Sequence, residues 1–376
     1  MTTENQPRTE NPPRDARHPT GLAHNRSVLN RPFDPPTVIA AADWSVSPRK
    51  RQLAMAVLAS TAAETLPDRA ATGPRYLITR LGPVPAGAAN PDRRPGEPDH
   101  GLWRLLSEAA APGQAMIGFD FPIGLPRAYA RAAGVASFRA FLTGLGAPPW
   151  DEFGTIARTP AEIGLHRPFY PATPGGTSRR QLHDGLGLTA AQIRRRCDGR
   201  DAETLFWTLG GKQVGKAALH GWRLLAAGLG TASAPGPGTA RTPGLALWPF
   251  DGPLTDLLDG GGRVVVAETY PREFYPHLAP GGPGRRWSKR RQADRIDRVP
   301  ALLAWADSLG VRWDDAVLGR VRTGLSPQGH GEDEFDAVVG LLGMIGVLHG
   351  ATPSGEPPDD PAVAAVEGWI LGRAPG

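Results

Sequence analysis

Three short apolar runs, each closing on an acid, constrain this chain more than any other feature. The most specific is Met116-Ile-Gly-Phe-Asp-Phe-Pro-Ile-Gly-Leu-Pro126. Met116 to Phe119 is apolar, Asp120 ends the run, and Pro122, Gly124 and Pro126 forbid its continuation as a strand. Val38-Ile-Ala-Ala-Ala-Asp43 and Val264-Val-Val-Ala-Glu268 repeat the pattern. A carboxylate at the carboxyl end of a central strand projects into the crevice where open α/β sheets bind ligands. Strands that each deliver one acid to that crevice predict an α/β chain with a carboxylate site made for metal ions.

The chain around these runs is long enough, at 376 residues, for a large core or for two domains. Its 40% hydrophobic and 21% charged shares are those of a soluble globular protein, and 48 glycines with 40 prolines predict long connections. Cys197 is the single cysteine, which excludes internal disulfides and a cysteine-based zinc site. No apolar run reaches the roughly 18 residues of a spanning helix. The N-terminus lacks the apolar core of a signal peptide. A cytoplasmic protein with no membrane partner is expected.

Residues 1–36, rich in Pro, Asn, Arg and Thr, read as a disordered leader. Strands are predicted at Val38 to Ala42, Leu53 to Leu58 and Tyr76 to Leu81, as an antiparallel meander. A helix over His100 to Ala110 follows, then the strand that ends on Asp120. The order β-β-β-α-β, with acids ending the first and fourth strands, is the opening half of the ribonuclease H-like fold. That fold sets its first and fourth strands side by side and parallel, which would put Asp43 next to Asp120. Residues 37–126 would form the first half of the core. Residues 127–262 read as a large, mainly helical insertion or cap, with helices over Tyr129 to Leu145, Thr189 to Arg196 and Ala202 to Leu229, the last interrupted by Gly210-Gly211. A connection this long is usually functional. The core resumes over 263–350, with a fifth strand to Glu268 and a short helix over Arg272 to Leu278. A longer helix over Trp287 to Leu309 would turn Ile296, Val299 and Leu302 inward, and a last helix would run from Glu332 to His349. Residues 351–376 read as a Pro-rich tail, apart from a short apolar turn near Val366 to Leu371. The expected fold class is an α/β ribonuclease H-like core, β-β-β-α-β-α-β-α, with the insertion between its fourth and fifth strands.

The last helix opens Glu332-Asp-Glu-Phe-Asp336, and Asp333 and Asp336, three apart, share one face. Glu332, Asp333 and Glu334 suit the positive end of the helix dipole. Asp336 falls among residues turning toward the core, where an acid needs a partner that a divalent metal would supply. Mg²⁺ and Mn²⁺ take oxygen ligands, and two such ions roughly 4 Å apart activate water and stabilise the departing oxygen in phosphodiester cleavage. Asp43, Asp120, Glu268 and Asp336 are the expected catalytic ligands, with Asp333 a fifth, for two Mg²⁺ or Mn²⁺ ions. The competing reading is that these acids satisfy loop amides and helix ends.

Positive charge is concentrated. Between Arg285 and Arg298, seven bases face two acids, an excess equal to the whole chain's +5. A polyanionic partner, nucleic acid, follows from such a segment, with Arg285, Arg286, Lys289, Arg290 and Arg291 tracking the backbone. Phe206-Trp-Thr-Leu-Gly-Gly-Lys-Gln-Val-Gly-Lys216 brings Lys212 and Lys216 beside aromatics and glycines, a combination able to close on a phosphate or a base. A solvated helix face and a glycine-broken helix-turn are the structural alternatives. DNA or RNA, and the oligomeric state, stay open.

The chain resembles the predicted RNase H-like nuclease family known as domain-of-unknown-function family 429. The resemblance is carried by Ala42-Asp43-Trp-Ser45, Gly118-Phe-Asp120-Phe-Pro-Ile-Gly-Leu-Pro126, Ala267-Glu268-Thr-Tyr-Pro271 and Asp333-Glu-Phe-Asp336-Ala337. Trp287-Ser-Lys289-Arg290-Arg291 is similar to a basic patch found there. The resemblance implies a ribonuclease H-like core with metal-dependent nuclease activity. Two other classes stay open. One is an actin-like small-molecule phosphotransferase, which shares the sheet topology. The other is a non-catalytic nucleic-acid- or protein-binding module whose acids are structural.

Overall fold

Alternation along one strand sets the architecture. Every residue of β1 (Val38–Asp43) is buried, yet successive side chains enter different cores. Val38, Ala40 and Ala42 join one core, and Ile39 and Ala41 the other. A strand covered on both faces has no polar side to show, which is why its sequence is apolar without a break. The computed structural model describes residues 33–59, 75–85, 101–199, 202–210, 214–230, 244–259, 261–278, 287–327, 329–351 and 357–375.

β2 (Gln52–Leu58) and β3 (Tyr76–Pro83) continue from β1 as an antiparallel meander. Helix α1 (Gly101–Ala110) then leads to β4 (Ala115–Phe119), which lies parallel to β1 from Val38↔Ala115 to Ala42↔Phe119. Helices α2 (Arg127–Ala132), α3 (Phe138–Gly144), α4 (Arg179–Leu186) and α5 (Val214–Gly230) precede β5 (Gly244–Leu247). Next come α6 (Leu254–Leu258), β6 (Arg263–Glu268) and a 3₁₀ segment, Pro271–Leu278. The chain closes through α7 (Gln292–Ile296), α8 (Val299–Ser308), β7 (Val311–Trp313), α9 (Asp315–Arg322) and α10 (Gly331–Leu348). Among the described residues, seven strands form one mixed sheet in the order β5-β6-β4-β1-β2-β3-β7.

The expected β-β-β-α-β order and the parallel pairing of the first and fourth strands are present. Several expectations are corrected. Gly244–Leu247, expected to be part of the insertion, is a sheet strand parallel to β6, and Val311–Trp313 adds a further strand parallel to β3. The helix expected over Trp287 to Leu309 is two helices, because Pro300 lacks an amide hydrogen and fits only the first turn of a new one. Ile296, expected inward, falls at the break and is 43% exposed. Thr189 to Arg196 forms turns, and helix begins at Val214 rather than Ala202. Of the expected leader, residues 1–32 lie outside the described residues. The expected tail is part of the body: Trp369 and Leu371 are buried, and Ile370 bridges to Glu268.

Each sheet face has its own cover. Leu102, Trp103 and Leu106 of α1 share one core with Phe138, Phe141, Phe153, Phe169 and Trp222 from the 127–230 segment. The other core gathers α10, α8 and Trp369. Gly118 lets α10 come close: a Cβ there would lie 2.5 Å from Met344 Sδ and 2.8 Å from Thr269 Cγ2. No helix among the described residues is long and apolar enough to cross a membrane.

Candidate metal centre

Strand parity brings the acids together. Asp43 continues the Ile39–Ala41 side of β1, so it emerges on the α10 face. Met116 and Gly118 of β4 share that face, and Asp120 follows them. Asp336 comes down from the second turn of α10, whose first half packs on β1. Oxygens of Asp43, Asp120 and Asp336 all lie within 4.8 Å of one another. Asp43 and Asp336 are buried, while Asp120 is partly open to solvent.

The cluster is electrostatically loaded. Burial first, then Asp120, Asp336 and Asp333, push Asp43 well above the ordinary carboxylate value. Asp120 is pushed up to about 8 by burial and by Asp336, against the opposing pull of Lys289. Asp333 rises to about 6 through burial and its neighbour Glu332. Asp43 stands close beside both Asp120 and Asp333. Burial also raises Asp336, offset by Lys289 and Tyr275. The Tyr275 hydroxyl donates to Asp336 Oδ1 at 2.5 Å, and the Lys289 ammonium pairs with Oδ2. Burial acts to lower Lys289, but Asp336, Asp43 and Asp120 together carry it above the ordinary lysine value.

Neutral oxygens stand around the acids. Gln52 is the cross-strand partner of Asp43 and therefore shares its face. It is 1% exposed, and its Oε1 accepts no hydrogen bond. Thr269 follows the Phe119↔Glu268 pair, on the face of Asp120, with its Oγ1 also unpartnered. Asp333 Oδ2 is buried and unpartnered as well. Carboxylates with neutral oxygens beside them are the donor set a hard divalent cation takes, so the residues fit Mg²⁺ or Mn²⁺.

Glu268 does not join them, and this corrects the sequence reading. Val264 and Val266 of β6 point into the α1-side core, and Glu268, two residues on, follows them. There Arg195 grips both carboxylate oxygens, Nη1 to Oε2 at 2.6 Å and Nη2 to Oε1 at 2.8 Å, and the Ile123 amide donates to Oε2 at 2.7 Å. Burial raises the Glu268 carboxyl and Arg195 opposes it. Arg195 also pairs with Asp198 at 2.9 Å, so this node ties the 127–262 segment to the sheet. Counting alternation from Val265, which faces α10, puts Glu268 on the opposite face from the acids.

The basic segment is corrected too. Lys289, expected on a nucleic-acid backbone, sits among the acids on a loop held from beneath. Arg295, 2% exposed, donates to the Lys289 carbonyl at 2.5 Å and also to the carbonyls of Gly324 and Ser326. The Ser288 amide donates to buried Asp294 at 2.7 Å, and Trp287 packs between the rings of Tyr275 and Phe335. Arg291 pairs with Asp294, and the exposed Arg290 with Glu332 at 3.3 Å. Lys216 is in the first turn of α5, within the segment on the α1 face. Arg285, Arg286 and Lys212 lie outside the described residues. Sequence reasoning missed Gln52 and Thr269, whose only signal was register, and Tyr275, which sits on the 3₁₀ segment with no signal of its own. No family model, curated protein or solved structure matches the chain.

Proposed function

We propose that the protein is a metal-dependent phosphodiesterase acting on nucleic acid, with a ribonuclease H-like sheet as its scaffold. The observation that carries this reading is the meeting of Asp43, Asp120 and Asp336 within 4.8 Å, from elements far apart in sequence. Two like charges about 4 Å apart repel by about 4 kcal/mol at an effective dielectric constant near 20. Gathering three is costly, Lys289 offsets part of that through Asp336 while Asp120 stays raised, and buried charges persist where they are paired or coordinate metal. The unpartnered oxygens of Gln52, Thr269 and Asp333 supply further donors.

The residues divide the work. Asp43 and Asp336 would hold a divalent cation from the buried side, and Tyr275 donates its hydroxyl to the Asp336 carboxylate. Asp120, partly exposed, faces the side from which substrate arrives. A divalent cation, when bound, polarises the phosphate and lowers the pKa of water. The reaction is hydrolysis: water adds to phosphorus, the phosphorus–oxygen ester bond breaks, and a phosphate monoester and a hydroxyl result. A cleft of about 290 Å³, lined by Lys50, Arg290, Arg295 and Glu332 among others, offers the entering backbone more positive than negative charge. Glu332, the residue before Asp333, lines this cleft, which supports an approach to the acids from that side.

The test is a panel of single- and double-stranded DNA and RNA with MgCl₂, MnCl₂ or EDTA. Wild-type protein should cut only with metal. Asp120→Asn should cut at least about 100-fold more slowly while melting as wild type does. Cleavage in EDTA, or full activity in the variant, would end this reading.

A further inference from the structure

We infer that Lys289 is a built-in counter-cation that a divalent metal must displace from Asp336, so that this lysine sets the protein's metal affinity. The inference rests on the carboxylates being a metal centre. Both oxygens of Asp336 are engaged, Oδ1 by the Tyr275 hydroxyl and Oδ2 by the Lys289 ammonium. Tyr275 is a neutral donor that can rotate away or keep its bond while Oδ2 takes a metal. Lys289 cannot keep its bond: a metal ion and an ammonium on the same oxygen stand close together and repel each other. Among the described residues, Lys289 is the one cation in ion-pair contact with Asp43, Asp120 or Asp336.

Its placement is built rather than incidental. The Lys289 carbonyl is fixed by Arg295, the preceding amide by Asp294, and Trp287 is wedged between Tyr275 and Phe335. A lysine that merely tracked a nucleic-acid backbone would need no such footing. With the main chain pinned and a side chain 34% exposed, the four-carbon stem can carry the ammonium outward without moving the loop. The lysine thus fills the cation's role until a metal arrives, and metal affinity is lowered by the contact it replaces.

Calorimetric titration of full-length protein with MnCl₂ tests this on wild type, Lys289→Gln and Lys289→Arg, with melting curves for each in EDTA. Lys289→Gln should bind Mn²⁺ at least about 10-fold more tightly than wild type, because no charge has to leave. It should melt lower in EDTA and gain more from Mn²⁺. Lys289→Arg keeps the charge and guards against a glutamine variant that does not fold; it should bind no more tightly than wild type. Mn²⁺ binding to Lys289→Gln alone would also support the inference. If wild type binds and Lys289→Gln binds equally or more weakly, or if Lys289→Arg binds more tightly, the inference is overturned and the metal centre stands. If none of the three proteins binds up to about 10 mM, both fall.

Discussion

At the scale of single residues, the acids of the α10 face behave as one titrating unit. Asp120 is held near 8 instead of the ordinary 3.8 by burial and by Asp336. An acid whose pKa is higher folded than unfolded stabilises the fold at low pH, and that contribution is lost as pH rises through the folded value. Metal-free protein is therefore expected to lose a few degrees of melting temperature between about pH 4 and pH 8. Millimolar MnCl₂ should restore most of the loss at pH 8 and little at pH 5, read by thermal melts in matched buffers. A metal-induced shift equal at both pH values would contradict the assignment. Asp43 and Asp120 were legible because each ends an apolar run, and Asp336 because it falls among residues turned toward the core. Glu268 breaks a pattern in the same way but on the other face, where Arg195 meets it. Nothing in the order of residues names that partner, since Arg195 lies 73 positions away. Lys289 was hidden by its neighbours, because a run of bases reads as surface whether or not one of them turns inward.

At the scale of elements, the site exists because α10 lies close against β4 and β1. Gly118 permits it, and Asp336 rides on the helix that it admits. Gly118→Ala would set a methyl against Met344, which can yield, and against Thr269, a branched side chain with little freedom. The expected cost is about 1–3 kcal/mol in denaturant melts. Mn²⁺ affinity should fall at least about 10-fold in the same variant, because Asp336 is carried away from Asp43. A stability loss with unchanged metal affinity would show that the helix position does not govern the site. The strands β1, β4 and β6 could be read as apolar runs that stop on an acid or a proline, and helix α10 as an apolar stretch too long for a strand. β5 and β7 could not: four and three residues carry no periodicity, and both are recruited by a neighbouring strand edge. The break between α7 and α8 was signalled by Pro300 alone, against a helical pattern on either side.

At the scale of the whole molecule, the two cores have separate duties. The α1-side core buries the aromatic cluster of the 127–230 segment, and the α10-side core ends in the acids. The C-terminal segment joins the two: Glu367 takes the Arg127 guanidinium at 2.6 Å, and Ile370 bridges to the residue beside Thr269. The short apolar turn near Val366 to Leu371 marked where it packs, but so few residues cannot name the two cores they join. What unites the scales is a single claim, that carboxylates delivered by β1, β4 and α10 share a cation. The most direct measurement is anomalous diffraction at the manganese edge from crystals grown with MnCl₂. The account predicts a peak within bonding distance of Asp43, Asp120 and Asp336, with the Lys289 ammonium moved off Asp336. A peak located elsewhere, or Lys289 still on Asp336 with no peak at the acids, would contradict it.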